Sequence, residues 1–67
     1  MAKRVIALLG EPIQTDEVLM AALRRAGALP DHVVTITRAA EGVLIGSGGE
    51  TAELDDEAAS HVFVRRL

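Results

Sequence analysis

Residues 15–38 read TDEVLMAALRRAGALPDHVVTITR and contain a complete helix, its end and the strand that follows. Thr15 can cap the start of the helix, and Gly27 can end it in the left-handed conformation. Apolar residues between them recur at the spacing of one buried helix face, which predicts a helix over residues 15–26. The predicted buried face consists of Val18, Leu19, Ala22, Leu23 and Ala26. The alternating VVTITR segment then predicts a strand over residues 33–38.

Four more strands are predicted on the two sides of this unit. KRVIALL at residues 3–9 is a short apolar run that ends at a glycine, and we expect this strand to be covered on both faces. Glycine-rich residues 46–49 favour a hairpin turn. The remaining predictions are strands over residues 43–46, 50–54 and 62–65, with a helical turn over residues 56–61 before the last strand.

These elements predict a mainly β fold. Five strands of this length cannot cover their apolar faces as an open sheet, so we expect a small five-stranded barrel. The helix after the first strand would plug one end of the barrel. The 67 residues hold no repeat and no linker, and a chain of this length supports one small core. We therefore expect a single domain over residues 1–67.

The composition argues against several classes of function. Phe63 is the only aromatic residue, which leaves no aromatic platform for bases, sugars or proline-rich peptides. The net charge of −3 gives no electrostatic footprint for direct nucleic-acid contact. The absence of cysteine excludes disulfides and thiolate metal sites. No nucleophile with a matched base is recognisable, so the sequence predicts a protein that is not an enzyme.

The apolar runs are too short to span a membrane. The longest, from Val5 to Leu9, has five residues, whereas a spanning helix needs about 20. Lys3 and Arg4 before it resemble the start of a signal peptide, but the run stops at Gly10, so we reject that interpretation. The sequence predicts a cytoplasmic protein without membrane contact.

Two segments, taken in this order, resemble a known family. They are LRRAGALPDHVVTITR at residues 23–38 and AELDDEAASHVFV at residues 52–64. Both are similar to the SH3-like domain shared by a small ferrous-transport accessory protein and the C-terminal part of the diphtheria toxin repressor family. The resemblance covers nearly the whole chain and implies that the small barrel is SH3-like.

A third segment, LLGEPIQTD at residues 8–16, resembles the repressor branch of that family. A Glu and a Gln three residues later reach a metal site there, and the matching residues are Glu11 and Gln14. Without the resemblance, these two residues are typical of a polar loop before a helix. The other ligands of the repressors come from their dimerisation domain. The resemblance therefore implies that an iron or manganese ion binds only in a full-length parent.

The function implied is a regulatory module of a metal-dependent, DNA-binding repressor. Its partner would be the dimerisation domain of the parent or a proline-rich linker, and the isolated domain is expected to be a monomer. Two alternatives stay open: a stand-alone accessory protein of a ferrous iron transporter, and a peptide-binding SH3-like module. The second alternative is disfavoured because the chain has no Trp or Tyr.

The other polar residues are interpreted as structural. His32 and His61 are far apart in sequence and have no His or Cys at ligand spacing, so we expect solvated or hydrogen-bonded rings. Asp55 precedes the short helical turn, where a carboxylate favours capping. The arginine pairs at 24–25 and 65–66 are expected on solvated faces.

Overall fold

The computed structural model describes residues 2–67 and forms one antiparallel five-stranded sheet with three helical segments. The elements are β1 (Ala2–Leu9), α1 (Glu11–Gln14), α2 (Glu17–Arg25), β2 (Val33–Ala39), β3 (Gly42–Gly46), β4 (Thr51–Leu54), α3 (Asp56–Ala59) and β5 (Val62–Arg66). This confirms the mainly β fold, with a helix after the first strand and a helical turn before the last.

The sheet has the strand order β4-β3-β2-β1-β5 and curls around one core. Leu54 from one edge strand and Val62 from the other pack on the same apolar cluster, which gives the sheet its barrel shape. The two edge strands β4 and β5 are not hydrogen-bonded to each other in residues 2–67. The barrel is therefore closed by side chains rather than by backbone pairing.

A β-bulge divides β1 into two halves. Ile6 pairs with Val64 of β5, and Leu8 pairs with Phe63, the residue before Val64. Ala7 has no partner and is therefore the extra residue of the bulge. The bulge lets Ile6 and Leu9 both enter the core, although they are three residues apart. The prediction that β1 is covered on both faces is wrong for its second half, because Ala7 and Leu8 are exposed.

The core is entirely aliphatic, as the composition requires. It consists of Ile6, Leu9, Ile13, Leu23, Ala26, Ala28, Val34, Ile45, Ala52 and Leu54. No polar or charged residue is buried in the described part of the chain. Each fully buried Val, Leu or Ile contributes about 1.5–3 kcal/mol relative to an exposed one. Hydrophobic burial without polar networks therefore holds this fold together.

The start of α2 differs from the prediction. Its N-cap is Asp16, whose carboxylate accepts a hydrogen bond from the Leu19 N–H at 3.0 Å. Thr15 instead ends α1, and its hydroxyl donates to the Glu11 carbonyl at 3.1 Å. The separate turn α1, which has Pro12 near its start, was not predicted. Thr15, the predicted N-cap of the long helix, is instead the C-cap of this turn.

The end of α2 follows the prediction, whereas one residue of its buried face does not. Gly27 has a φ of 73°, and the Ala28 N–H donates to the Leu23 carbonyl at 2.8 Å, as in a Schellman motif. Leu23 is fully buried, but Val18 is 81% exposed. Val18 lies about 100° around the helix from Leu19, outside the stripe that the barrel end covers.

The hairpin between β3 and β4 is confirmed, and it also joins the helix to the sheet. Ser47 donates two hydrogen bonds to the Ala26 carbonyl, from its backbone N–H at 3.0 Å and from its hydroxyl at 3.1 Å. The turn therefore supplies donors that the C-terminus of α2 needs. None of the helices in residues 2–67 has the length and apolar character that crossing a membrane requires.

Gly42 is required by a close approach between β3 and the end of β4. A Cβ there would overlap the Leu54 carbonyl oxygen and lie 3.0 Å from the Asp55 Cα, and φ is 153°. We expect Gly42→Ala to lower the free energy of unfolding by about 1–3 kcal/mol, because backbone atoms must move. Urea unfolding followed by circular dichroism measures this loss.

Gly49→Ala is the matched control for this substitution. A Cβ at Gly49 has open space and φ is not in the left-handed region, so the change should stay within about 0.5 kcal/mol. Equal stability losses for the two variants would show that the close approach at Gly42 is not as described.

Candidate functional site

The candidate ligands lie on α1, a single helical turn that is fixed to the barrel at two points. Ile13 is 1% exposed and belongs to the core. The Gly10 N–H donates to the His61 carbonyl at 2.7 Å, which ties the start of α1 to the entry of β5. Because buried Ile13 and the Gly10–His61 hydrogen bond both hold α1 on the barrel, the backbone that carries its exposed side chains has a fixed position.

Glu11 and Gln14 are both exposed and are three residues apart on this turn. Helix residues at i and i+3 lie on the same face, with Cβ atoms about 5–6 Å apart. The pair therefore presents a carboxylate and an amide side by side on the surface. The structure places the two residues together, while their role as metal ligands stays a prediction.

One contact fixes the orientation of the Gln14 amide. Its Nε2 donates to the Leu9 carbonyl at 2.6 Å. Only the amide nitrogen can donate to a carbonyl, so the assignment of nitrogen and oxygen is unambiguous. The amide oxygen then points away from the backbone and is the group that Gln14 offers to a ligand.

These two residues fit part of a metal site. A carboxylate and an amide oxygen suit hard divalent ions such as manganese or ferrous iron, which prefer more ligands than two. Among residues 2–67, no group of three or more His, Cys, Asp or Glu side chains could hold a metal ion. An ion that uses Glu11 and Gln14 would therefore take its other ligands from water or from another domain or chain.

The two histidines have structural contacts. The His32 Nδ1 lies 3.0 Å from the Gly27 carbonyl oxygen, next to the end of α2. The backbone of His61 accepts from Gly10 and donates to the Ala58 carbonyl at 3.0 Å. The prediction of a hydrogen-bonded ring is confirmed for His32.

The acidic residues before β5 cap α3 or make surface ion pairs. Asp55 accepts a hydrogen bond from the Ala58 N–H at 2.7 Å, which confirms the predicted cap. Asp56 pairs with Arg38 at 3.0 Å, and both side chains are largely exposed. Exposed pairs of this kind contribute about 0–1 kcal/mol.

Exposed apolar residues lie on the outside of β1, β2 and β5, and the sequence did not predict them. Leu8 is 54% exposed, Phe63 49% and Val33 46%, and Leu8 pairs directly with Phe63 across the strands. The signal was the placement of the only aromatic residue on a strand with two arginines. We name Leu8, Val33 and Phe63 the outer apolar surface.

No protein-family model matches the chain, and no curated protein matches its sequence significantly.

The hydrogen bond of Gln14 can be tested by substitution. Gln14→Glu replaces the donor with a carboxylate oxygen facing the Leu9 carbonyl, so we expect a loss of about 1–2 kcal/mol in the free energy of unfolding. Gln14→Ala should lose less, because it removes the bond without adding repulsion. Chemical denaturation at neutral pH gives both values.

Glu11→Gln serves as the control for this pair, because Glu11 is exposed and makes no ion pair with residues 2–67. Its stability should stay within about 0.5 kcal/mol of the parent. The described orientation of Gln14 would be contradicted if Gln14→Glu were as stable as Glu11→Gln.

The isolated chain should bind divalent metals only negligibly, because it offers two oxygen ligands where hard cations need about six or more. Isothermal titration calorimetry with Mn²⁺ or Co²⁺ tests this expectation. Tight binding with a stoichiometry of one ion per chain would contradict it.

Proposed function

We propose that this chain is a regulatory SH3-like module of an iron- or manganese-dependent transcriptional repressor of the diphtheria toxin repressor family, acting in the cytoplasm. The observation that supports this most directly is the placement of Glu11 and Gln14 on one exposed face of α1. The strand, helix and strand order of the barrel agrees with the SH3-like domain that the resemblance implies.

In this proposal the module packs on the dimerisation domain of its parent. Glu11 and Gln14 contribute a carboxylate and an amide oxygen to a coordination sphere that the dimerisation domain completes. A bound metal ion would supply the link between the two domains. The ion would bind more tightly when the module is docked on the dimerisation domain than when it is undocked, so metal binding would favour the docked arrangement. This difference in affinity would couple metal binding to DNA binding.

The rigidity of α1 favours such a role. Ile13 and the Gly10–His61 hydrogen bond hold the backbone, and the Leu9 carbonyl holds the Gln14 amide. Side chains that are already ordered lose less conformational entropy when they bind. Two ancillary ligands can therefore contribute measurably although they cannot bind an ion alone.

The charge of the module fits a role without DNA contact. Its ten acidic and seven basic residues would repel a phosphate backbone on most faces. DNA binding would belong to a different domain of the parent, and the module would change the affinity of that domain indirectly. The proposal gives the chain no catalytic step.

The test is the double variant Glu11→Ala, Gln14→Ala in the full-length parent. Operator binding is measured as a function of Mn²⁺ or Fe²⁺ concentration. We expect the metal concentration at half-maximal binding to rise about 10–100-fold, the range typical for the loss of supporting groups at metal sites. Circular dichroism should show an unchanged fold.

Glu17→Ala is the matched control, because it removes an exposed carboxylate beside the site and leaves the Thr15 hydroxyl on the Glu11 carbonyl. Its metal dependence should equal that of the parent. The proposed function fails if the Glu11 and Gln14 variant also keeps the metal dependence of the parent.

A further inference from the structure

The only aromatic side chain of the protein is on its surface. Phe63 belongs to the outer apolar surface, and none of the core residues is aromatic. Burying a Phe side chain contributes about 1.5–3 kcal/mol, and the folded chain forgoes much of this contribution. Leu8 and Phe63 are direct neighbours across the strands, and adjacent exposed apolar residues can take part in binding a partner.

Phe63 lies on a strand whose outer edge is free. β5 is the last strand of the sheet, and within residues 2–67 it pairs only with β1. A free edge presents a row of backbone donors and acceptors to which another extended segment can add. Phe63, which lies on β5 itself, is the part of the outer apolar surface that adjoins this edge.

The far end of β5 carries an unbalanced positive charge. Arg66 stands directly opposite Arg4 in the sheet, and Arg65 stands opposite Val5, next to Lys3 on the neighbouring strand. Like charges directly opposite each other destabilise strand pairing. Four of the seven basic residues of an acidic chain therefore lie at this end of the sheet, with Arg4 and Arg66 on the face of Val64 and with Lys3 and Arg65 on the face of Phe63.

Among the described residues, few acidic side chains lie close enough to neutralise the positive charges at this end of the sheet. Arg65 lies 3.8 Å from Asp31, with both side chains exposed. Lys3, Arg4 and Arg66 make no ion pair with residues 2–67. A negatively charged partner would relieve the repulsion between these groups.

An apolar cleft runs along the inner side of the same strand. It has a volume of about 110 Å³. Its larger lining residues are Ile36, Val43, Ile45, Leu54, Val62 and Val64. A cavity of about 150 Å³ accommodates benzene, so this smaller cleft suits an aliphatic side chain. Val64 is 38% exposed, which leaves the mouth of the cleft open to solvent.

We propose that β5 binds an extended segment of a partner protein in which aliphatic and acidic residues alternate. The segment would add to the free edge as a sixth strand. Alternate side chains of a strand point to opposite faces. Its aliphatic residues would enter the cleft beside Val64. Its acidic residues would lie on the opposite face, where the methylene groups of a glutamate can pack on Phe63 while its carboxylate reaches Arg65.

Charge favours this occupant over a second copy of the chain. A second β5 strand, whose sequence is VFVRR, offers no acidic residue to offset Arg65 and Arg66. Nucleic acid is disfavoured because the chain has a net charge of −3, and because β5 combines three apolar residues with two arginines rather than forming a continuous basic groove.

This inference goes beyond the proposed metal role and is independent of it. Leu9, next to α1, pairs with Val62 at the beginning of β5, whereas the basic end begins at Arg65. Three residues of strand separate the two positions by about 10 Å. A variant at Glu11 and Gln14 should therefore leave binding at β5 unchanged.

The probe is a capped eight-residue peptide of alternating glutamate and aliphatic residues, titrated into the ¹⁵N-labelled chain. We expect amide shift changes concentrated in Val62–Arg66 and in the strands that line the cleft. A peptide with lysine in place of each glutamate should bind about tenfold weaker, because it would place like charges beside Arg65 and Arg66. A peptide with serine in place of each aliphatic residue should also bind more weakly.

The decisive variant is Arg65→Glu, Arg66→Glu, which should reverse the preference so that the lysine peptide binds more tightly. Arg24→Glu, Arg25→Glu makes the same change of charge on α2 and should keep the preference for the glutamate peptide. Peptide preference is compared within each variant, and the dispersion of the amide spectrum confirms that each variant is folded.

Several outcomes would overturn the proposal. One is the absence of shifts at β5 with the glutamate peptide, and another is equal binding of the glutamate and lysine peptides. A third is an unchanged preference in the Arg65→Glu, Arg66→Glu variant. Concentration-dependent shifts at β5 without peptide would assign the edge to self-association instead. Stronger binding of a short DNA duplex or of phosphatidylserine vesicles to β5 would assign it to those ligands.

Discussion

The β-bulge at Ala7 determines how the rest of the barrel is arranged. β1 is the strand between β2 and β5, so a change in its side-chain alternation affects both neighbours. The extra residue sends Leu9 into the core after Ile6 and turns Leu8 outward against Phe63. One irregular residue therefore creates the last core position of β1 and part of the outer apolar surface at the same time.

The bulge also fixes where α1 begins. Buried Leu9 ends the strand, Gly10 connects it to His61, and Ile13 returns to the core four residues later. The chain between two buried residues is too short to move freely, so it forms a single turn. Glu11 and Gln14 are exposed because buried Ile13 turns the other side of this helical turn toward the core.

The sequence was sufficient to predict elements whose cause is local. The end of α2 at Gly27 and the hairpin at residues 46–49 depend on glycine and on neighbouring residues, and both were predicted. The cap Asp55 was predicted for the same reason. Such features need no knowledge of distant contacts.

The features that the sequence did not reveal depend on contacts between distant segments. The bulge is a mismatch between β1 and β5, and it cannot be recognised from an apolar run such as Val5 to Leu9. Val18 fits the helical pattern but is exposed, because the barrel end covers a narrower stripe. For the candidate site, the spacing of Glu11 and Gln14 was visible in the sequence, whereas the contact between Gln14 and the Leu9 carbonyl was not.

The purely aliphatic core has an evolutionary consequence. Such a core constrains total volume and branching more than residue identity, and volume-conserving exchanges among Val, Ile and Leu usually cost less than about 1.5 kcal/mol. With no buried polar group to satisfy, the interior can drift by neutral exchange while the barrel is preserved. Identity would be retained at Gly42, where neighbouring backbone atoms leave no room for a Cβ, and at Gly27, where φ is positive. Homologous barrels should thus share their glycines long after their core residues have diverged.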